Sequence, residues 1–393
     1  MNGQATGGIV RFFRGLPDPR AANVIHKLHD ILVLAICAVI CGADGWAEVE
    51  VFGNSKLAWF RTFLDLPGGI PSHDTFGRVF AHLDPEGFER CFVAWTRSIP
   101  QTTGGQRLIA IDGKAIRRSF EHAWDKSGMT HLVSAFVEAN HLVFGQLAVD
   151  DKSNEIEAIP RLLTLLDLAG ATVTIDAMGC QRSVADQVVR AEGDYVLAVK
   201  ENQPALHAKV KALLDEAILD GFAGMGHDAF EQTDGGGHGG GHGGGHGRVE
   251  TRRVWVTDEV KWLGDDLLRD WPGLRGGCVA AVECVREVVG TGGKTGTERR
   301  YFISSRRGTD AKAMAEAVRG HWAIENRLHW QLDVSFDEDR RRIRKDHGAE
   351  NYSRLCRIAL NLLKRDKSVK IGVHGKRLKA GWDEPYLLRL LTA

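Results

Sequence analysis

Two short apolar runs end in aspartate: RLIAID closes at Asp112 and ATVTID closes at Asp176. Each is followed at once by small residues, Gly113 in one case and Ala177 then Gly179 in the other, which let another group approach the carboxylate. A charge at the tip of an apolar strand is costly unless it is paired or liganded. Taken singly, either acid could be a helix cap; together they define one edge of a sheet. Two such carboxylates suit a hard cation, because Mg²⁺ prefers oxygen ligands and needs only one or two protein carboxylates beside substrate phosphate. A pair of ions about 4 Å apart stabilises both the attacking and the leaving oxygen of an in-line displacement. That chemistry asks for a third acid, and Glu325 in RGHWAIENRLHWQLDVSFDED is the candidate. On a helix, His321, Glu325 and His329 share a face, with Trp322 and Trp330 flanking the stripe. Zinc held by the two histidines and simple packing remain alternatives. The spacing HxxxExxxH is not HExxH, however, and zinc would leave both strand-end aspartates unexplained.

The elements that must carry these residues follow from periodicity. Residues 1 to 100 read as helices: HKLHDILVLAICAVICGA is a buried helical run, and Ser72-His73-Asp74-Thr75 before Phe76, Val79, Phe80 and Leu83 suits a capped helix start. The period then changes. Strand-like runs at 107–112, 131–138 and 141–150, the last two split by Ala139-Asn140 at a hairpin turn, precede a helix over 154–168. A strand at 171–176, a helix at 180–191 and a strand at 195–199 complete the order β-β-β-α-β-α-β. Short buried strands alternating with helices indicate an α/β core. Between about 204 and 305 the pattern breaks into a helix (204–219) and β-type runs at 248–257, 278–289 and 299–305, which reads as a β-rich insertion. Helical spacing returns over 311–332 and 349–364. Within the insertion, GGGHGGGHGGGHG (235–247) could collect a transition metal through its histidines, although glycine at this density favours a flexible loop.

Bulk properties narrow the class. In a chain of 393 residues, 43% hydrophobic and 26% charged content exclude general disorder. Seven cysteines without a paired CxxC knuckle point to a reducing cytoplasm and buried thiols. The start MNGQATGGIVRFFRG lacks an apolar secretory core, and the longest apolar run, Ile31 to Ala43, falls short of the about 20 residues that span a bilayer. Formal net charge is zero, yet Arg340 to Lys379 holds fourteen Lys or Arg against three Asp or Glu. That concentration is a candidate phosphate-binding surface. A solvated basic helix face is the plainer reading.

RLIAIDGKAIRRS, DKSNEIEAIPRLLTLLDLAGATVTIDAMGCQ, DYVLAVKENQ and RGHWAIENRLHWQLDVSFDEDRRRIRKDHGAENYSRLCRIALNLLK together closely resemble the H-repeat-associated insertion-sequence transposases, a branch of the DDE transposases. FRGLPDPR, HKLHDILVLAICAVICGADGW and GIPSHDTFGRVF resemble that family's associated helical domain. The resemblance covers nearly the whole chain. It implies a ribonuclease-H-like α/β mixed-sheet core with a β-rich insertion, a helical N-terminal domain (1–100), a catalytic domain (101–393) and a basic helical C-terminal segment (340–393).

The resemblance also implies a cytoplasmic, nucleoid-associated bacterial enzyme with Mg²⁺ or Mn²⁺, two ions, on Asp112, Asp176 and Glu325. It implies that the enzyme cuts and rejoins double-stranded DNA at inverted-repeat ends and in target DNA, as a homodimer. Related enzymes place Tyr, Arg, Glu and Lys around the last acid; here those places hold Val318, His321, Glu325 and Leu332. Arg319 or His321 is the candidate for the phosphate role. Lys114, Lys200, Asn202 and Gln203 are further candidates to line a DNA groove, with loop capping as their alternative. In the basic segment the candidates are Arg340, Arg341, Arg342, Arg344 and Lys345.

Overall fold

The computed structural model describes every residue except 1–7, 22–23, 101–106, 121–128, 150–154, 235–247, 289–294 and 393. Its strands are β1 (Arg107–Ala115), β2 (His131–Val137), β3 (Leu142–Val149), β4 (Ala171–Ile175), β5 (Asp194–Val199), β6 (Asp228–Asp234), β7 (Arg248–Thr257), β8 (Cys278–Val288) and β9 (Thr295–Ser304). Five helices precede the sheet: α1 (Leu28–Cys41), α2 (Trp46–Ser55), α3 (Leu57–Phe60), α4 (His73–His82) and α5 (Pro85–Arg97). Between and after the strands come α6 (Glu155–Thr164), α7 (Arg182–Arg190), α8 (Pro204–Leu219), α9 (Asp265–Asp270) and α10 (Ala311–Ile324). The chain closes with α11 (Trp330–Phe336), α12 (Gly348–Arg365), α13 (Val373–Trp382) and α14 (Glu384–Thr392). The order β-β-β-α-β-α-β read from the sequence is the order observed, and the sheet runs β3-β2-β1-β4-β5-β9-β8-β7-β6. It is a mixed α/β sheet with a helical N-terminal region.

Contacts divide the chain into two compact units. The first comprises Met1–Gly105, Asp112–Leu166 and Ala323–Ala393. Its centre is α1, whose residues from Ile31 to Ile40 are all buried. A helix that is apolar all round belongs in an interior, and α1 packs against α12 and α13. It stops at Gly42, whose φ of 118° lies where a side chain would be strained. The start of α4 is as the sequence indicates, with the Ser72 hydroxyl accepting from the Thr75 amide. Hairpin β2–β3 is antiparallel and turns through Glu138–His141, His141 adopting φ 54°.

Helix α12 carries four buried polar side chains that a basic-tail reading would turn outward. Arg354 and Glu89, 0% and 1% exposed, meet at 2.5 Å, and Arg354 also donates to Glu350 at 2.9 Å. Arg357 meets the buried Glu338 at 2.8 Å. Asn351 donates to the carbonyls of Phe80 and Leu83, and Asn361 exchanges bonds with the Val143 amide and carbonyl. Each of these groups has a stated partner, which is the condition for burying it.

The second unit comprises Gln106–Ile111 and Asp167–Trp322. The first residues of β1 pair in parallel with β4, from Arg107↔Ala171 to Ile111↔Ile175, and β4 pairs in parallel with β5. The β-rich stretch continues this sheet: β9 adds antiparallel to β5, then β8, β7 and β6 follow in turn. Val254, Val256, Ala280, Val282 and Phe302 face Ala311, Met314 and Ala317 of α10 in one core cluster. Strand β6 has no counterpart in the sequence reading. Its residues alternate between exposed and half-buried and include no run of large apolar groups, as suits an outer strand.

Among the described residues no single helix is long and apolar enough to cross a membrane. Cys37, Cys180, Cys278 and Cys356 are buried free thiols.

Removing one partner of a buried ion pair leaves the other charge uncompensated, at a cost of about 3–5 kcal/mol. Arg354→Ala is therefore expected to lower unfolding stability by that amount in urea titration. The double variant Glu89→Leu/Arg354→Met is expected to recover most of the loss; a double variant as unstable as the single would show that the pair is not what burial has to satisfy.

Candidate active site

Asp112 does not end its strand. Strand β1 runs on to Ala115, because residues 113–115 stay extended beyond the last pairing with β4 at Ile111↔Ile175. Its Oδ1 accepts from the Gly113 amide at 2.9 Å, and its Oδ2 lies 3.6 Å from His329 Nδ1. Gly113 is required by close approach: a Cβ there would collide with the carboxylate of Glu155, an acid buried in the first turn of α6. Nothing in the spacing of the sequence singled out Glu155.

Asp176 is the residue after β4, and it is exposed. Its side chain caps the short 3₁₀ turn Ala177–Gly179 by accepting from the Met178 amide at 3.0 Å. Two proposed groove residues brace this turn. Asn202 donates to the Ala177 carbonyl at 2.6 Å and Gln203 to the Cys180 carbonyl at 2.9 Å, so both fill the loop-capping role. Lys200, beside them, is exposed.

Glu325 opens a π turn, Glu325–His329, between α10 and α11, and its side chain is exposed. The wide i→i+5 turn is rare and occurs mostly at functional sites. Arg327 within it donates to Glu138 at 2.7 Å and contacts the His141 ring at 2.9 Å. One turn earlier, His321 Nδ1 lies 3.2 Å from the hydroxyl of Thr174 in β4. Burial lowers the His321 pKa, against the opposing pull of Asp176. His321 thus faces Thr174 and not solvent, contrary to the phosphate role. Arg319 is exposed and stands 3.4 Å from Asp234.

Lys114 is also not a groove residue. Two positions beyond Asp112, its ammonium is 2.6 Å from Asp333 and 3.4 Å from Asp339, and the side chain is nearly buried. In the basic segment Arg340, Arg342 and Lys345 are exposed, as a phosphate surface requires. Arg344 is half-buried, donating to the Arg118 carbonyl and lying over the Phe120 ring. Arg341 is the clear departure. Only 6% exposed, it donates to the Phe336 carbonyl, contacts Cys356 Sγ at 2.8 Å and stacks over Tyr352. Lys376 and Arg377 are buried too, Arg377 donating to the Val39 and Ile40 carbonyls at the end of α1.

Asp112, Asp176 and Glu325 offer oxygen donors only, the set that Mg²⁺ or Mn²⁺ takes and that zinc sites built on histidine do not resemble. By donor chemistry the three acids fit a hard divalent ion. Among the described residues no group of three or more His, Cys, Asp or Glu is gathered closely enough to hold a metal. The zinc reading of His321 and His329 gains nothing, since their ring nitrogens face Thr174 and Asp112. The Gly/His tract at 235–247 lies outside the described residues.

Comparison with known proteins gives a consistent result. Residues 103–362 match the family model described as transposase DDE domain, and residues 10–96 match the model of the DDE-associated domain. The chain is 41% identical over 379 residues to the protein named "Putative transposase YncI" of Escherichia coli O157:H7, covering 96% of this chain and 93% of that one. It is 40% identical over 382 residues to "H repeat-associated putative transposase YhhI" of Escherichia coli K12, covering 96% of each. A 64-residue stretch is 53% identical to "Inactive transposase YbfQ" of the same strain, covering 16% of this chain and 76% of that one.

Two measurements separate buried from exposed arginines. Arg341→Ala is expected to cost about 3 kcal/mol or more, whereas Arg340→Ala and Arg342→Ala change stability by less than about 0.5 kcal/mol. Guanidinium unfolding curves of the three variants check this.

Glu338 gives a pH signature. Burial alone would raise its pKa, but Arg357, Lys114, the Ser353 hydroxyl and Arg341 outweigh it and hold the carboxyl at about 2. The folded pKa is depressed, so this contribution is fully present above about pH 4.5 and is lost as pH falls toward 2. Glu338→Gln is expected to be less stable than wild type at pH 7, with the gap closing between pH 4.5 and 2 in urea titrations. A gap independent of pH would show that the charge of Glu338 is not what stabilises.

Proposed function

The chain belongs to the DDE transposase family, and on that premise we propose that it is a DNA transposase that binds the inverted-repeat ends of its own insertion sequence, cuts there and joins the ends to target DNA. In this reading Asp112, Asp176 and Glu325 hold Mg²⁺ or Mn²⁺, two ions in all. When bound, the metal polarises the scissile phosphate and stabilises the attacking and leaving oxygens. The observation that carries the reading is the β1–β4 register: its last pair is Ile111↔Ile175, and the two aspartates are the next residues of their strands. Glu325 is supported separately, because its π turn ends at His329 beside Asp112.

The exposed Arg340, Arg342 and Lys345, with Lys200 and Arg319, are the proposed phosphate contacts, which position a duplex without reading its sequence. The division into a helical DNA-end-associated domain (1–100) and a catalytic domain (101–393), a homodimer on DNA and a cytoplasmic site of action belong to the same proposal.

Asp112→Asn, Asp176→Asn and Glu325→Gln are each expected to abolish Mn²⁺- or Mg²⁺-supported cleavage of a duplex carrying the repeats that flank the gene, while duplex affinity is retained. Undiminished cleavage by any of the three removes that residue from the site. Cleavage without joining would make the protein a hydrolytic nuclease, and binding without cleavage by wild type a silent relic. Replacing Arg340, Arg342 and Lys345 together with Ala is expected to flatten the plot of log affinity against log salt by up to about 3, near 0.9 for each phosphate that the variant no longer neutralises.

A further inference from the structure

The pattern HxxxExxxH is explained neither by zinc nor by phosphate contact. His321 stands four residues before Glu325 and its ring meets Thr174, which is almost fully buried in β4. His329 stands four residues after Glu325 and its ring meets Asp112 in β1. The segment between them is the π turn, a conformation that local helix energetics disfavour and that persists where surrounding contacts impose it.

We infer that His321 and His329 are positioning residues for Glu325: His321 fastens the last turn of α10 to β4, His329 fastens the end of the π turn to β1, and the wide turn that presents the acid is held from both sides. The inference rests on the reading of Glu325 as the third acid, but the mechanical part does not require activity. A turn fastened at both ends opens less often than one fastened at neither, and backbone amide exchange reads that opening directly.

The test is hydrogen–deuterium exchange on the metal-free full chain, with the amides of α12 as an internal control of folding. His321→Ala, Thr174→Val and His329→Ala are each expected to speed exchange over 325–329 about tenfold, the scale of losing one buried hydrogen bond, with α12 unchanged. Combining His321→Ala with Thr174→Val adds nothing, because both remove the same bond. His321→Gln, which keeps a hydrogen-bonding side chain toward Thr174, returns exchange close to wild type. In single-turnover cleavage with Mn²⁺ and the end-bearing duplex, the alanine variants lose about tenfold or more in rate with duplex affinity unchanged.

Wild-type exchange over 325–329 in both alanine variants would overturn the inference. So would a His321→Gln variant as fast as His321→Ala, or a His321→Ala variant that loses duplex affinity and salt dependence while its exchange stays normal, since that is the behaviour of a phosphate contact. If wild type does not cut the duplex at all, the transposase reading fails and the exchange data still decide the role of the histidines. If it cuts and the histidine variants cut equally well, the transposase reading stands and this inference falls.

Discussion

Burying an arginine is tolerable only when an acid waits for it, and the helical unit depends on that constraint. Arg354 and Arg357, three residues apart on α12, find Glu89 of α5 and Glu338 beyond α11. Around those pairs the amide side chains Asn351 and Asn361 satisfy backbone groups of the α4 end and of β3. Apolar α1 supplies area on one side of α12, but area alone tolerates sliding. Paired charges and amides accept one register, which is how polar groups in a core contribute specificity even where their net stability is small.

The same constraint explains what sequence alone conveyed and what it withheld. Strands β1, β2, β3, β4 and β5 were legible because each is a short run of buried apolar residues, and α8 and β7 were legible to the residue from their bounding Pro204 and from the alternation in RVETRRVWVT. Strand β6 was silent because an outer strand with half-exposed residues carries no apolar period. The basic segment misled for a different reason. Charge counting sums neighbours in sequence, whereas the partners of Arg354 and Lys114 lie 265 and 219 residues away. No local window could reveal that Arg341, Arg354, Arg357, Lys376 and Arg377 are occupied inside the protein.

For the candidate site, residue type and strand position were readable, while the side-chain partners were not. Small residues after each aspartate correctly signalled close approach, and at Gly113 the group that approaches is Glu155. Asn202 and Gln203 were flagged by adjacency to a strand end; they brace the turn that begins at Asp176. One trace of the π turn was present. Buried positions fall at 311, 314, 317 and 320, then at 324, 328 and 332, so the interval stretches from three residues to four across the Glu325 segment.

That stretched interval has an evolutionary corollary. A regular helix advances about 100° per residue, so deleting any one residue between 325 and 329 would let the chain run on as unbroken α-helix and turn everything after it by roughly that angle. Leu332 and Phe336 would leave the interior, and Asp333 would swing away from Lys114. Homologous chains should accordingly vary in side chain along this stretch far more readily than in length, and an alignment that opens a gap there marks a copy whose last acid is out of place.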